Sequence, residues 1–195
     1  MIQQSMAMER SIWGRLLHLF GWEVCITVPR RSKCVICVAP HTSNWDFILG
    51  LAAYKSLGRE ANFLMKESWF FFPLKYLLNR LGGIPVPSRK GAELTSAIVS
   101  RFNGARYMNL AVTPEGTRSR NDKWRKGFLY IAYGAKVPLQ LGVIDYRSKK
   151  IIIKEEYLPT GDIETDMRFV SRFYCDYADA ALYPDKFAVS DLNQP

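Results

Sequence analysis

His41 and Asp46 are the residues whose types and spacing could do chemistry together. They stand five positions apart in Ala39-Pro40-His41-Thr42-Ser43-Asn44-Trp45-Asp46-Phe47. An imidazole can take a proton near neutral pH. A carboxylate bonded to one ring nitrogen fixes the tautomer and leaves the other nitrogen free. Inside one helix the two side chains would point roughly 140° apart and could not meet. They meet if His41 lies in the turn before a helix and Asp46 in its first turn. The flanking sequence fits that arrangement. Cys34 to Ala39 reads as a buried strand, Thr42 or Ser43 is an N-cap, and a helical pattern runs to about Leu57 with Gly58 as its stop. On this stretch alone a second account stands beside it: a turn histidine next to an acid that favours the helix dipole.

The elements that must position the pair can be read on either side. Glu23 to Val28, Asn62 to Lys66 and Asn109 to Thr113 read as strands. Val137 to Tyr146 and Lys149 to Tyr157 read as two more, joined by a turn at Arg147-Ser148. Ile84 to Lys90 is a short extended segment. A helix is expected to open at Trp69-Phe70-Phe71-Phe72-Pro73, run through Leu81 and stop at Gly82-Gly83. Leu94, Ile98 and Phe102 mark another helix, Lys126 to Gly134 a third, and Met167, Val170, Tyr174 and Tyr177 the last. This alternation predicts one α/β domain with a mixed sheet flanked by helices. The domain is expected over 31–183, after an N-terminal segment at 1–30 and before a loosely ordered tail at 184–195.

Several polar segments share one topological place, the loop after a strand, where open α/β sheets bind ligands. They are His41 to Asp46, Ser88-Arg89-Lys90, and Pro114 to Arg120 with Trp124-Arg125-Lys126-Gly127. They offer a base–carboxylate pair, an acid at Glu115, backbone N–H groups near Gly116 and Gly127, and several cations. Cations with flexible backbone suit a phosphate monoester.

The totals set outer bounds. The chain has 195 residues, 48% of them apolar and 23% charged, enough for one domain with a substantial core. Its net charge of +9 points to an anionic partner: nucleic acid, a membrane surface or a phosphorylated substrate. Cys34 and Cys37 form C-x-x-C, but in a strand-like run. A redox pair belongs at a helix N-terminus, and no second cysteine pair completes a zinc site. All four cysteines, Cys25, Cys34, Cys37 and Cys175, are read as buried thiols of a reducing cytosol.

Ser11 to Val28 is apolar but interrupted by Arg15, His18 and Glu23, which argues against a bilayer span of about 20 apolar residues. Ile12, Leu16 and Leu19 with Trp13, Leu17 and Phe20 make a wide apolar face. That is the composition of an interfacial helix with aromatic anchors, and packing on the core is the alternative.

Together these segments resemble the glycerolipid acyltransferase family, best known for 1-acyl-glycerol-3-phosphate acyltransferases. The family's first motif, N-H-x-x-x-x-D, matches Pro40 to Asp46. Its glycine-led second motif matches Gly83-Ile84-Pro85-Val86-Pro87-Ser88-Arg89. Its third, F-P-E-G-T-R-S, matches Thr113 to Ser119, and its fourth, a strand opening with proline, matches Val137-Pro138-Leu139-Gln140-Leu141. Pro40 stands where the family has Asn, Ser88 where an acid or amide often stands, Thr113 where it has Phe, and the fourth motif lacks its second proline.

The resemblance implies a glycerol-3-phosphate acyltransferase-like fold. It also implies transfer of a fatty acyl group from acyl-CoA or acyl carrier protein to the hydroxyl of a lyso-phospholipid. His41 would be the general base and Asp46 its orienting acid. Arg89 and the loop Glu115, Gly116, Thr117 and Arg118 would bind the acceptor's polar head, with Arg125 or Lys126 adding charge. It implies no metal and no cofactor beyond the thioester substrate. Glycerol 3-phosphate or an aminoacyl lyso-lipid is the alternative acceptor. The alternative of another class is a non-catalytic basic module for anionic lipid or nucleic acid. An enzyme on a lipid acceptor is expected at the cytoplasmic face of the membrane, peripheral to it and without a nucleic-acid partner.

Overall fold

The computed structural model describes residues 11–87 and 91–190. Seven strands form one sheet: β1 (Glu23–Ile26), β2 (Lys33–Val38), β3 (Asn62–Lys66), β4 (Gly83–Val86), β5 (Met108–Val112), β6 (Leu139–Asp145) and β7 (Lys150–Tyr157). The helices are α1 (Ile12–Leu19), α2 (Asn44–Ser56), α3 (Leu74–Arg80), α4 (Ala92–Gly104), α5 (Gly127–Gly134) and α6 (Ile163–Cys175). The strand order is β1-β7-β6-β2-β5-β3-β4. Only β6 and β7 pair antiparallel, across the turn at Arg147-Ser148; every other neighbour is parallel. This is the mixed α/β sheet expected.

β2 lies inside the sheet, and its sequence explains why. Cys34 and Ile36 enter one face with Ile26, Tyr54 and Ile153, while Val35 and Cys37 enter the other with Leu110, Leu139 and Leu141. Both faces are covered, so the strand is apolar throughout rather than alternating. Helices α1 and α2 cover the first face through Leu17, Ala52 and Ala53. Helices α4, α5 and α6 cover the second through Ile98, Phe102, Leu129, Val170 and Tyr174.

Several expectations are corrected. Residues 23–26 pair in parallel with β7, and Trp22 and Val28 are buried, so the domain begins well before residue 31. Leu17 is turned inward, whereas Ile12, Leu16, Leu19 and Phe20 are exposed. The six-residue apolar face of α1 is therefore divided between core and solvent. The aromatic run does not open a helix: a short 3₁₀ turn, Glu67–Trp69, precedes it, and α3 starts after Pro73. Nor is the tail loose from Pro184: Phe187 is buried against Trp124, whose indole N–H donates to Ala188 O at 3.0 Å. Arg120 also donates to the carbonyls of Asp185 and Phe187. Of the four cysteines Cys34 and Cys37 are buried, Cys25 is half-buried and Cys175 exposed.

The order of the sheet brings three C-terminal strand ends side by side. β6, β2 and β5 are adjacent and parallel, so the segments after Asp145, Val38 and Val112 leave the same edge. Beneath that edge the buried Tyr174 hydroxyl lies 2.6 Å from Cys37 O and 3.2 Å from Gly142 O, tying α6 to β2 and β6. Deleting one buried hydroxyl costs about 1–2 kcal/mol when a carbonyl loses its donor. Tyr174→Phe is accordingly expected to lower the urea midpoint by that equivalent with an unchanged m-value; a variant as stable as wild type would show the contact to be idle.

Candidate active site

The chain leaves β2 at Val38 and turns through His41 into α2. Ser43 is the N-cap, its hydroxyl accepting from Trp45 N at 3.2 Å. Asp46 occupies the third helical position and completes a capping box with the Ser43 backbone. Its Oδ2 accepts from Thr42 N and Ser43 N, both at 2.9 Å, and lies 3.1 Å from His41 Nδ1. The expected geometry, histidine in the turn and acid in the first helical turn, is what the structure shows.

The remaining Asp46 oxygen, Oδ1, accepts from the Tyr146 hydroxyl at 2.6 Å. Burial alone would favour the neutral acid. Hydrogen bonds from His41, Tyr146 and the Ser43 N–H outweigh it and hold the carboxyl below its usual value. An ionised Asp46 only accepts, so the proton between it and His41 belongs to Nδ1. Nε2 then carries a lone pair. The His41 side chain is 18% exposed, open enough to be reached.

Glu115 enters from the loop after β5. It is buried, and its Oε1 accepts from His41 N at 2.9 Å, while Oε2 has no partner among the described residues. Glu115 thus braces the backbone of the histidine and is not turned to solvent, where an acceptor's polar head would meet it. Burial pushes its carboxyl up to about 7, against the opposing effect of the His41 N–H.

The rest of the loop is exposed. Gly116 has φ +64°, and a Cβ there would collide with the Arg125 guanidinium packed over it. Thr117 Oγ1 accepts from Ser119 N. Arg118 donates to Asn44 Oδ1, at the start of α2, and so stands beside the dyad. Lys126 is the exposed N-cap of α5. Arg89, with Ser88 and Lys90, lies outside the described residues. Sequence reasoning missed Tyr146, the residue after β6; an aromatic at the end of the third adjacent strand was the available signal.

The α/β sheet thus sets a carboxylate-oriented histidine at its C-terminal edge, with an arginine-bearing loop alongside. The chain belongs to the acyltransferase family, whose model matches residues 26–142, from the last residue of β1 to the middle of β6. Among solved structures it is similar to the 1-acyl-sn-glycerophosphate (LPA) acyltransferase PlsC of Thermotoga maritima, with a TM-score of 0.57 and 18% identity. The match covers 92% of this chain and 81% of that one, and at this identity it is a likeness of fold. No curated protein matches the sequence.

The raised Glu115 carboxyl makes a prediction about stability. Between about 4.5, the ordinary value, and about 7, folded Glu115 keeps a proton that the unfolded chain has lost. The folded state binds more protons there, so this residue lowers stability as pH rises through that window. Glu115→Gln keeps an acceptor for His41 N but cannot ionise. It should match wild type near pH 4.5 and exceed it at pH 8 by up to about 3 kcal/mol in urea denaturation. Parallel pH–stability curves for the two proteins would contradict the buried, proton-holding placement.

Proposed function

We propose that this acyltransferase moves a fatty acyl group from a thioester, on coenzyme A or acyl carrier protein, to the hydroxyl of a lyso-phospholipid. The acceptor the site fits best is 1-acyl-glycerol 3-phosphate, giving phosphatidic acid. The observation that carries the reading is the His41 Nδ1–Asp46 Oδ2 contact of 3.1 Å at an accessible sheet edge. Nε2 takes the proton of the acceptor hydroxyl as its oxygen attacks the thioester carbon. The C–S bond then breaks, and the same proton goes to the departing sulfur. A thiol pKa near about 8.5 makes the thiolate a good leaving group, so a single base suffices. Positioned general-base catalysis contributes roughly 10²–10⁴-fold. Arg118, held at the start of α2 by Asn44, supplies a guanidinium for the acceptor's phosphate. The phosphate ester and acidic lipid also agree with the +9 charge.

The acceptor reading is tested by following thiol release from acyl-CoA with lysophosphatidate, glycerol 3-phosphate and an aminoacyl lyso-lipid in turn. Lysophosphatidate is expected to be used best. His41→Ala is expected to abolish release, and Asp46→Asn to reduce it severely because an amide cannot stabilise the imidazolium. Near wild-type turnover by His41→Ala would sink the assignment of the base. Faster release with either other acceptor would sink the substrate.

We further propose that the enzyme works as a peripheral protein on the cytoplasmic face of the membrane. Among the described residues no helix is long and apolar enough to cross a bilayer. Ile12, Leu16 and Leu19 on α1, Phe20 at its C-terminal cap, and Trp45 and Ile48 on the adjoining α2 are exposed. So are Trp69, Phe71, Phe72, Tyr76 and Leu77 around α3. Exposed apolar groups with a cationic chain suit an anionic bilayer. High salt should weaken co-sedimentation with anionic vesicles without abolishing it, and serine at Ile12, Leu16, Leu19 and Phe20 should remove the salt-resistant part. Unchanged binding of that variant at high salt would place the anchor elsewhere.

A further inference from the structure

Tyr146 lies outside every motif that points to acyl transfer, yet it makes the shortest hydrogen bond to Asp46. It is the first residue after β6, at the sheet edge next to His41. Its hydroxyl donates to Asp46 Oδ1 at 2.6 Å, on the opposite side of the carboxylate from His41. The phenol is itself held. Its ring packs edge-on against Trp22, with centroids 5.2 Å apart and planes at 87°, and its backbone N–H donates to Ala180 O at 2.9 Å. Trp22 is buried and donates its own backbone N–H to Leu17 O at 2.8 Å. The hydroxyl is thus fixed from two elements and aimed at one atom.

We propose that Tyr146 is a positioning residue of the dyad, setting the orientation of Asp46 and the strength of its hold on His41. Two consequences follow from the geometry. Asp46 Oδ2 already takes the Thr42 and Ser43 amides and the imidazole, and Oδ1 is the oxygen left to rotate the group. Anchoring Oδ1 keeps Oδ2 in line with Nδ1. The same bond draws charge toward Oδ1, away from the imidazole, so removing it would strengthen the carboxylate's hold on the imidazolium. The groups facing this cluster are Glu115, bonded to His41 N, and Tyr183, whose backbone N–H donates to Thr42 Oγ1. Arg118 lies beyond them on Asn44. Burial first, and then ionised Asp46, disfavour ionisation of the Tyr146 hydroxyl, which remains a donor across the working range.

The inference rests on His41 as the base, and the test separates the two. Tyr146→Phe keeps the ring against Trp22 and removes only the oxygen. Its kcat is expected to fall about 10-fold, the scale of one lost bond to a charged group, with acceptor KM little changed. The acid limb of its pH–rate profile should move up by about half a unit. His41 can be followed directly, without activity, by NMR titration of its imidazole. The chain has only two histidines, so a His18→Gln background leaves a single signal, and the same upward shift is expected there. Fluorinated tyrosine at position 146, a stronger donor of the same shape, should move the titration down. That arm covers a Tyr146→Phe protein that fails to fold. A His41 titration unmoved by both changes, or moved in the same direction by both, overturns the proposal. If instead the titrations move as expected while His41→Ala remains active, Tyr146 orients Asp46 but the base is wrongly assigned.

Discussion

The Asp46 carboxylate is the point on which the site depends. It is almost wholly buried, and a buried carboxylate without donors would take up a proton. Four donors prevent that: the Thr42 and Ser43 amides, His41 Nδ1 and the Tyr146 hydroxyl. The two amides converge on one oxygen only because α2 starts at Asn44 with Ser43 as its cap. Helix start, charge of the acid and tautomer of the histidine are therefore a single condition. Moving the helix start by one residue would swing Asp46 by about 100° and dissolve all three.

Glu115 is the complement. Two carboxylates flank the same short turn, one gripping the imidazole and the other the backbone N–H. Their surroundings push them apart. Asp46 is surrounded by donors, whereas Glu115 is buried with one oxygen unpartnered and feels the Asp46 charge, which raises it further. Below about pH 7 Asp46 is charged while Glu115 keeps its proton, so in that range the turn escapes two adjacent buried charges. Parallel β5, β2 and β6 make this possible by delivering Glu115, His41 and Tyr146 to one edge.

What could be read from the sequence was local. The dyad was legible because strand, cap and helix lie within about one turn of each other in the chain, and short-range rules govern that distance. β3, Asn62–Lys66, and the β6–β7 hairpin were legible because their apolar pattern and turn residues are contiguous. The direction of Glu115 was not, because a polar residue in a loop carries no periodicity. Only the adjacency of β2 and β5 turns it toward His41 N. Tyr146 and the burial of Phe187 depend likewise on partners distant in sequence, Asp46 and Trp124. Cys175 was misjudged from the general tendency of thiols to be buried; it ends α6, where the helix leaves the core.

Under the proposed membrane placement, the division of α1 would let one short helix meet two demands. Six apolar residues in nine positions are more than a core-facing stripe requires. Leu17 and the half-buried Trp13 lie against α2 and the sheet, while Ile12, Leu16, Leu19 and Phe20 face outward. The inward set secures the helix to the same layer as α2, and α2 carries Asp46. The chain then continues through Trp22, whose ring abuts Tyr146. In the proposed reaction the acceptor hydroxyl must leave the lipid surface far enough to reach Nε2. With α1 in the lipid surface as proposed, its seat on the layer that holds the dyad would keep that distance nearly constant, because neither could shift without breaking the Leu17 packing or the Trp22–Tyr146 contact. A helix with all six residues outward would bind a bilayer more strongly and control that distance less.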